Sequence, residues 1–357
     1  MSAGPLYAVI LAGGVGRRFW PASRPDRPKQ LLPLGEDGRP LVVDAVRRAE
    51  ELAGRDRVRL LAGRRMMPRL LEVLPELGPG NLLEEPEPRG TGPALAWAAR
   101  HIFELDPDAV MLSLHADHRI GPASAFRETA ERTVRAAARS SRLFCIGVPP
   151  DRPETGYGYV RTGRELADGV LEVEEFVEKP SLDRAREYLE HGGYLWNTGI
   201  FGWRAASFLE VVRSETPELH EALPLLEDDD VKGYFRAVTP VSVDVGVMER
   251  APDVGVVEAS FRWDDLGVWP SLARNLSDDG SGNVTVGPVR CVDARNNVAW
   301  SENGRLVLFG VDDLVVARSG GQTLVTTREH APRLKELLAR LETDDASEET
   351  LGEDGDR

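Results

Sequence analysis

The 357-residue chain has only two cysteines, Cys145 and Cys291, each inside an apolar strand-like run. That leaves two core thiols and argues against a disulfide framework or a cysteine-bound metal. Lysine is scarce: of 44 Lys and Arg residues only Lys29, Lys179, Lys232 and Lys335 are lysine. No apolar run reaches the roughly 20 residues that cross a bilayer, and Met1 to Tyr7 lacks the basic and apolar regions of a secretory leader. The expected location is therefore the cytoplasm, with no membrane partner. A basic excess is missing too, and the formal net charge of −15 argues against a nucleic-acid partner. Residues 342 to 357 contain eight acidic side chains and one basic, which predicts a disordered acidic tail.

What the chain does have is enough apolar material, 41%, to bury one large α/β domain and a smaller module. Strand-like runs at Leu6 to Leu11, Val58 to Ala62, Ala109 to Leu114 and Leu143 to Val148 alternate with helical patterns at Leu41 to Leu52, Pro93 to Glu104 and Ala123 to Ala138. This alternation predicts an α/β, doubly wound parallel sheet. Between about 151 and 280 the pattern loosens, which suggests an inserted substrate-binding lobe. From Gly282 to Val325 short strand-like runs predict a small β module, a partial solenoid, followed by a helix at Pro332 to Leu341. Its open edges would favour pairing with a second subunit as a homodimer. The expected division is 1–280, 281–341 and the tail 342–357.

The first strand runs into Leu11-Ala12-Gly13-Gly14-Val15-Gly16-Arg17-Arg18, a glycine loop at a strand's carboxyl end, where α/β sheets bind ligands. Three glycines in four positions let backbone N–H groups approach anionic oxygens. The loop is neither of the two familiar kinds. A Walker loop would need Lys-Ser/Thr after Gly16, and a dinucleotide loop would need glycine at Phe19, so a dehydrogenase is disfavoured. What remains is a phosphate loop with an arginine fork, Arg18, and a compact ammonium, Lys29, that this arginine-rich chain has not replaced.

Other constellations carry carboxylates. Asp117 follows the run Ala109 to Leu114 and should emerge at the same sheet edge as the glycine loop, where one carboxylate plus phosphate oxygens suits Mg²⁺. His115, Asp117 and His118 are residue types that zinc takes, but no third histidine or cysteine stands at ligand spacing. Asp264 and Asp265, between Trp263 and Trp269, offer a second acid, and the alternation of a strand lets only one of them face a cleft. Glu178 and Lys179 end a strand before Pro180, and Asn197 lies in Trp196-Asn-Thr-Gly199; these suit sugar hydroxyls and a sugar phosphate, or equally a solvated charge pair and a turn.

Taken in order, Leu11-Ala-Gly-Gly14, Arg18, Trp20-Pro-Ala-Ser23, Pro28-Lys-Gln30, PETGYGYV at 153–160, FVEKP at 176–180, WNTGIF at 196–201, SVDVGVMER at 242–250 and WDDLGVW at 263–269 resemble the sugar 1-phosphate nucleotidylyltransferases, in their mannose-1-phosphate guanylyltransferase branch. The resemblance implies a Rossmann-like nucleotide-diphospho-sugar transferase fold, mostly parallel, with a C-terminal module like a partial left-handed β-helix. It implies GTP and mannose 1-phosphate as substrates and Mg²⁺ as cofactor. By resemblance Leu11, Ala12, Gly13, Gly14, Gly16, Arg18, Lys29, Thr91 and Asp117 bind nucleotide; Gly158, Glu178, Lys179, Asn197 and Asp265 bind sugar phosphate; Asp117 and Asp265 hold the metal. Arg18, Lys29, Asp117 and Asp265 form the catalytic set. Two departures stand out: Gly90 replaces the family's asparagine, which should loosen base or ribose recognition, and Arg17 replaces a small hydroxyl residue. The alternatives are the same chemistry on another sugar phosphate or base, and a catalytically silent nucleotide-sugar-binding regulator.

Overall fold

A computed structural model describes residues 4–14 and 16–341; the acidic tail expected at 342–357 lies outside the described residues. Two compact units share the chain. Described residues of Met1–Gly13 and Pro33–Asp265 form the first, and those of Gly14–Leu32 and Leu266–Arg357 form the second.

In the first unit β1 (Leu6–Leu11) is buried from its second residue onward, as a strand covered on both faces must be. It pairs in parallel with β2 (Val58–Gly63) and β4 (Val110–His115), and β3 (Leu82–Glu85) pairs in parallel with β2. Helices α1 (Leu41–Ala53), α2 (Met67–Val73) and α3 (Thr91–Leu105) connect these strands. Beyond β4, a short β5 (Arg119–Gly121) and α4 (Ala123–Ala138) lead to β6 (Leu143–Val148). The segment expected as an inserted substrate-binding lobe supplies β7 (Gly158–Ala167), β8 (Val170–Val177), β9 (Tyr194–Arg204) and β10 (Val254–Glu258) to one nine-stranded sheet, ordered β3-β2-β1-β4-β9-β6-β10-β8-β7. β9 runs antiparallel between β4 and β6, so the sheet is mixed where a mostly parallel one was expected. Burial accounts for the central place of β9, whose Trp196, Phe201 and Trp203 are almost fully enclosed. A small antiparallel pair, β5 with β11 (Arg262–Asp264), stands apart from this sheet.

The second unit is a stack of short parallel strands. β12 (Val284–Val286), β14 (Val298–Ser301) and β16 (Leu314–Ser319) form one parallel ladder, β13 (Val289–Val292) and β15 (Leu306–Phe309) another, and β17 (Gln322–Thr327) closes the first by pairing antiparallel with β16. Buried Asn283 and Asn297 stack between coils, Asn297 Nδ2 donating to Asn283 Oδ1 at 2.9 Å. Residues 14–32 belong here because Trp269 packs on Phe19, ring centroids 5.0 Å apart, and its Nε1 donates to Trp20 O at 3.1 Å. Arg24 Nη1 donates to Ser319 Oγ at 2.8 Å, and Arg27 pairs with Glu302. The two compact units divide at 265/266.

Candidate active site

Three strand ends of the first unit meet where β1 stops. Ala12 N donates to Leu61 O at 2.8 Å and Ala116 N to Leu11 O at 3.0 Å, which fixes the start of the glycine loop beside the ends of β2 and β4. Gly13 is exposed there. Beside Gly13 lies a residue that sequence reasoning missed: Glu85 ends β3, opposite Gly63, and a Cβ on Gly13 would stand 3.9 Å from its Oε2. Glu85 is only 9% exposed, and burial pushes its carboxyl up to about 7. Thr91 opens α3, and its Oγ1 accepts from Val243 N at 2.9 Å. Gly90 has φ +91°, and a Cβ there would meet Val241 O at 2.6 Å, so this backbone has no room for the family's asparagine.

The antiparallel pairing Trp263↔Ile120 and Asp264↔Arg119 carries the chain on so that Asp265 follows opposite the His118–Asp117 turn. Both metal-ligand candidates therefore lie at one end of that pair. Tyr157 Oη donates to Asp265 Oδ1 at 3.0 Å, while Asp264 is buried 3.8 Å from the Arg152 guanidinium. Ligand atoms of His115, Asp117 and His118 come within 4.8 Å of one another. His118 does not suit zinc, because its Nδ1 accepts from Trp263 Nε1 at 3.1 Å and so leaves the ring proton on Nε2. Asp117 and Asp265 are hard carboxylates, a donor type that suits a divalent cation keeping phosphate and water ligands.

Tyr157 is buried, its ring edge-on to Trp196 and Trp263 at 5.3 and 4.8 Å. Burial and the Asp265 and Asp264 charges raise its phenol well above the usual range, so it stays a donor. Tyr157→Phe keeps the packing and removes this bond to Asp265. The expected result is a roughly tenfold lower kcat with a melting temperature within the range of one lost hydrogen bond, about 1 kcal/mol; an unchanged kcat would remove Tyr157 from the positioning role.

The sugar-site candidates of the first unit also gather. β7 pairs with β9 so that Gly158 stands opposite Asn197, and a Cβ on Gly158 would lie 2.8 Å from Glu178 Oε2. Asn197 is held at both ends of its amide: Nδ2 donates to Asp244 Oδ1 at 2.7 Å and Oδ1 accepts from Gly199 N at 2.9 Å. Asp244, another residue missed in the sequence, has its carboxyl raised, first by burial and then by the nearby Glu178 charge, with the Asn197 bond opposing. It lies within SVDVGVMER, where nothing local in the sequence sets the aspartate apart. Lys179, at φ +47°, pairs with its neighbour Glu178, the solvated pair that the sequence left open.

In the second unit Gly16 (φ +66°) packs against Lys29: a Cβ on Gly16 would come 2.4 Å from Lys29 Cβ. Ser23 Oγ donates to Gly16 O at 2.5 Å. Lys29 is buried, and its Nζ lies 3.4 Å from Leu266 O as donor. Arg18 sits half-buried in the turn Arg17–Phe19, and Arg17 is exposed.

Residues 7–281 match the nucleotidyl transferase family. The chain is 35% identical to the mannose-1-phosphate guanylyltransferase of Escherichia coli K12, over 96% of this chain and 75% of that protein. It is likewise 35% identical to the xanthan biosynthesis protein XanB of Xanthomonas campestris, over 96% of this chain and 74% of that one. A solved structure from Thermus thermophilus, described as a mannose-1-phosphate geranyltransferase, superposes with a TM-score of 0.87 at 36% identity, covering 95% of this chain and 100% of that one. The chain belongs to the nucleotidyl transferases, in the mannose-1-phosphate guanylyltransferase branch.

Proposed function

We propose that the protein joins GTP and α-D-mannose 1-phosphate to give GDP-mannose and pyrophosphate. Similarity to mannose-1-phosphate guanylyltransferases along 96% of the chain is the observation that carries this reading. The nucleophile is an oxygen of the sugar phosphate, already ionised at neutral pH, so no protein base is needed. It attacks the α-phosphorus of GTP, a new P–O bond forms, and the bond to the β-phosphate oxygen breaks as pyrophosphate leaves. The protein's task is alignment and charge neutralisation.

Gly13, Gly14 and Gly16 receive the triphosphate with backbone N–H groups, and Arg18 and Lys29 take up its charge. Leu11, Ala12 and Thr91 frame the nucleoside. Glu85 supports guanine in particular, because guanine is the common base that offers adjacent N1–H and N2–H donors to one carboxylate. Gly158, Glu178, Lys179 and Asn197 hold the sugar phosphate, with Asp244 orienting the Asn197 amide. Asp117 and Asp265 hold a divalent cation, which we take to be Mg²⁺; when bound it supplies Lewis-acid neutralisation of phosphate oxygens. Tyr157 keeps Asp265 turned to its task.

Three finer readings belong with this one. The stacked coils of the second unit are a portion of a left-handed β-helix. Its exposed Val307 and Phe309, with Val292 in register beside Phe309, form a face for a second copy in a homodimer. The enzyme works in the cytoplasm; among the described residues no helix is long and apolar enough to cross a membrane.

The test is mass-based product profiling with GTP, ATP, UTP and dTTP against mannose and glucose 1-phosphates. GDP-mannose should dominate. Preferred formation of another nucleotide sugar would replace this reading with the same chemistry on other substrates, and no product from any pair would favour the silent regulator.

A further inference from the structure

Apart from every residue given a role above, the first unit contains a cavity of about 310 Å³, at the lower end of ligand-site volumes. Arg132, Arg135, Arg139 and Arg142 line it against a single acid, Asp168, although the chain as a whole is strongly acidic. The first three project from one side of α4 and its C-cap, at spacings of three and four residues. Half-buried Leu166 and the almost fully buried Phe144 and Val170 form an apolar floor that continues into the buried cluster of Val110, Ala137 and Val257.

Arg142 pairs with Asp253 at 3.1 Å, whereas the partners of Arg135 and Arg139 are weak. Arg135 lies 3.6 Å from Glu131 and Arg139 3.7 Å from Asp168, both pairs with largely exposed side chains that contribute little. A phosphate dianion presents more charge, and several oxygens in a geometry that guanidinium forks match. An apolar floor beneath such forks suits a planar base, and it does not read the base's edge.

The pocket's position gives it a consequence. The hairpin β7–β8 turns at Asp168 and Gly169, both at positive φ, and Arg132 Nη2 donates to Gly169 O at 3.0 Å and to Asp168 O at 3.4 Å. The opposite end of the same hairpin carries Gly158, where β7 begins, and Glu178 and Lys179, which follow β8. One two-stranded element thus has its turn in the arginine pocket and its open end among the sugar-site candidates. β6 spans the same interval: Phe144 lies at the pocket, and Gly147 pairs with Asn197 about 10 Å along the strand.

We propose that this pocket is a second, regulatory site for a nucleoside monophosphate, its phosphate on Arg135 and Arg139 and its base over Phe144 and Val170, and that filling it changes the affinity for the sugar phosphate through the β7–β8 hairpin. The coupling rests on the sugar-site reading above; the binding does not. AMP is the probe, because the floor is indifferent to the base whereas the active site is proposed to prefer guanine.

Calorimetric titration of AMP into the full chain should give one site per chain in the wild type and in Lys29→Ala, and none in Arg135→Ala/Arg139→Ala. That double variant should keep the wild-type melting temperature and, without AMP, the wild-type kcat and KM. With AMP present, the KM for mannose 1-phosphate should shift about fivefold in the wild type and stay fixed in the double variant, the low end of ordinary allosteric coupling. Absence of AMP binding to Lys29→Ala, or its survival in the double variant, overturns the site. Binding with an unmoved KM overturns the coupling. A protein that binds AMP through Arg135 and Arg139 yet makes no GDP-mannose would instead sink the reading of the active site and leave the pocket standing.

Discussion

Asp265→Asn and Asp117→Asn are each expected to lower kcat by about 1,000-fold while the fold persists, since each removes one charged oxygen donor from a set that neutralises phosphate charge during transfer. The two substitutions are nearly isosteric. Asp265 accepts the Tyr157 hydroxyl, and an asparagine carbonyl accepts it as well, so packing around Trp263 and Trp196 should survive. The double variant is the sharper measurement. If both carboxylates hold one cation, losing the second ligand after the first should cost far less than another 1,000-fold, because residues that act as a unit are not additive. A full multiplicative loss would mean that the two acids act in separate steps. Wild-type turnover by either single variant would remove that residue from the catalytic set. The neighbouring Asp264 is the control: it faces Arg119 in register and lies near Arg152, and Asp264→Asn should act through stability before turnover.

What the sequence reveals and what it hides can be followed residue by residue. β1 and its loop were legible because a continuous apolar run ending in glycines has few readings other than a buried parallel strand. The direction of β9 was not: a strand buried on both faces has the same composition whether it runs with or against its neighbours, and only its pairing with β4 and β6 decides. The choice between Asp264 and Asp265 needed the resemblance, since alternation says that two neighbours point apart and not which one faces inward. Trp269 could not be linked to Phe19 by any local pattern, because the contact spans most of the chain. Glu85 was hidden for the opposite reason. In Leu82-Leu-Glu-Glu85 it reads as the polar end of a strand, and it becomes a site residue only when β3 pairs with β2 and sets Glu85 against Gly63 and beside Gly13.

That carboxylate yields the second large expectation, in which activity and stability move in opposite directions. Glu85→Gln should lower kcat/KM for GTP by about 100-fold, because one of two charge-assisted bonds to the guanine edge is replaced by an amide N–H facing a donor. The pH dependence follows from a folded-state pKa of about 7 against the usual 4.5. Only the ionised carboxyl accepts from both N1–H and N2–H, so the wild-type KM for GTP should rise about tenfold from pH 8 to pH 6, while Glu85→Gln stays flat. For folding the sign reverses. The raised pKa means that the native state binds the proton more tightly than the unfolded chain, so the wild type loses stability as pH climbs from about 4.5 through 7. Glutamine carries no charge to desolvate, so the variant should be more stable than the wild type at pH 8, by up to roughly 3 kcal/mol, and the two should converge below pH 5. Denaturant unfolding at both pH values, with GTP kinetics on the same preparations, measures both halves. A Glu85→Gln enzyme with unaltered GTP kinetics would take Glu85 out of base recognition. A variant less stable at pH 8 would mean that a favourable partner, and not burial, governs the carboxyl.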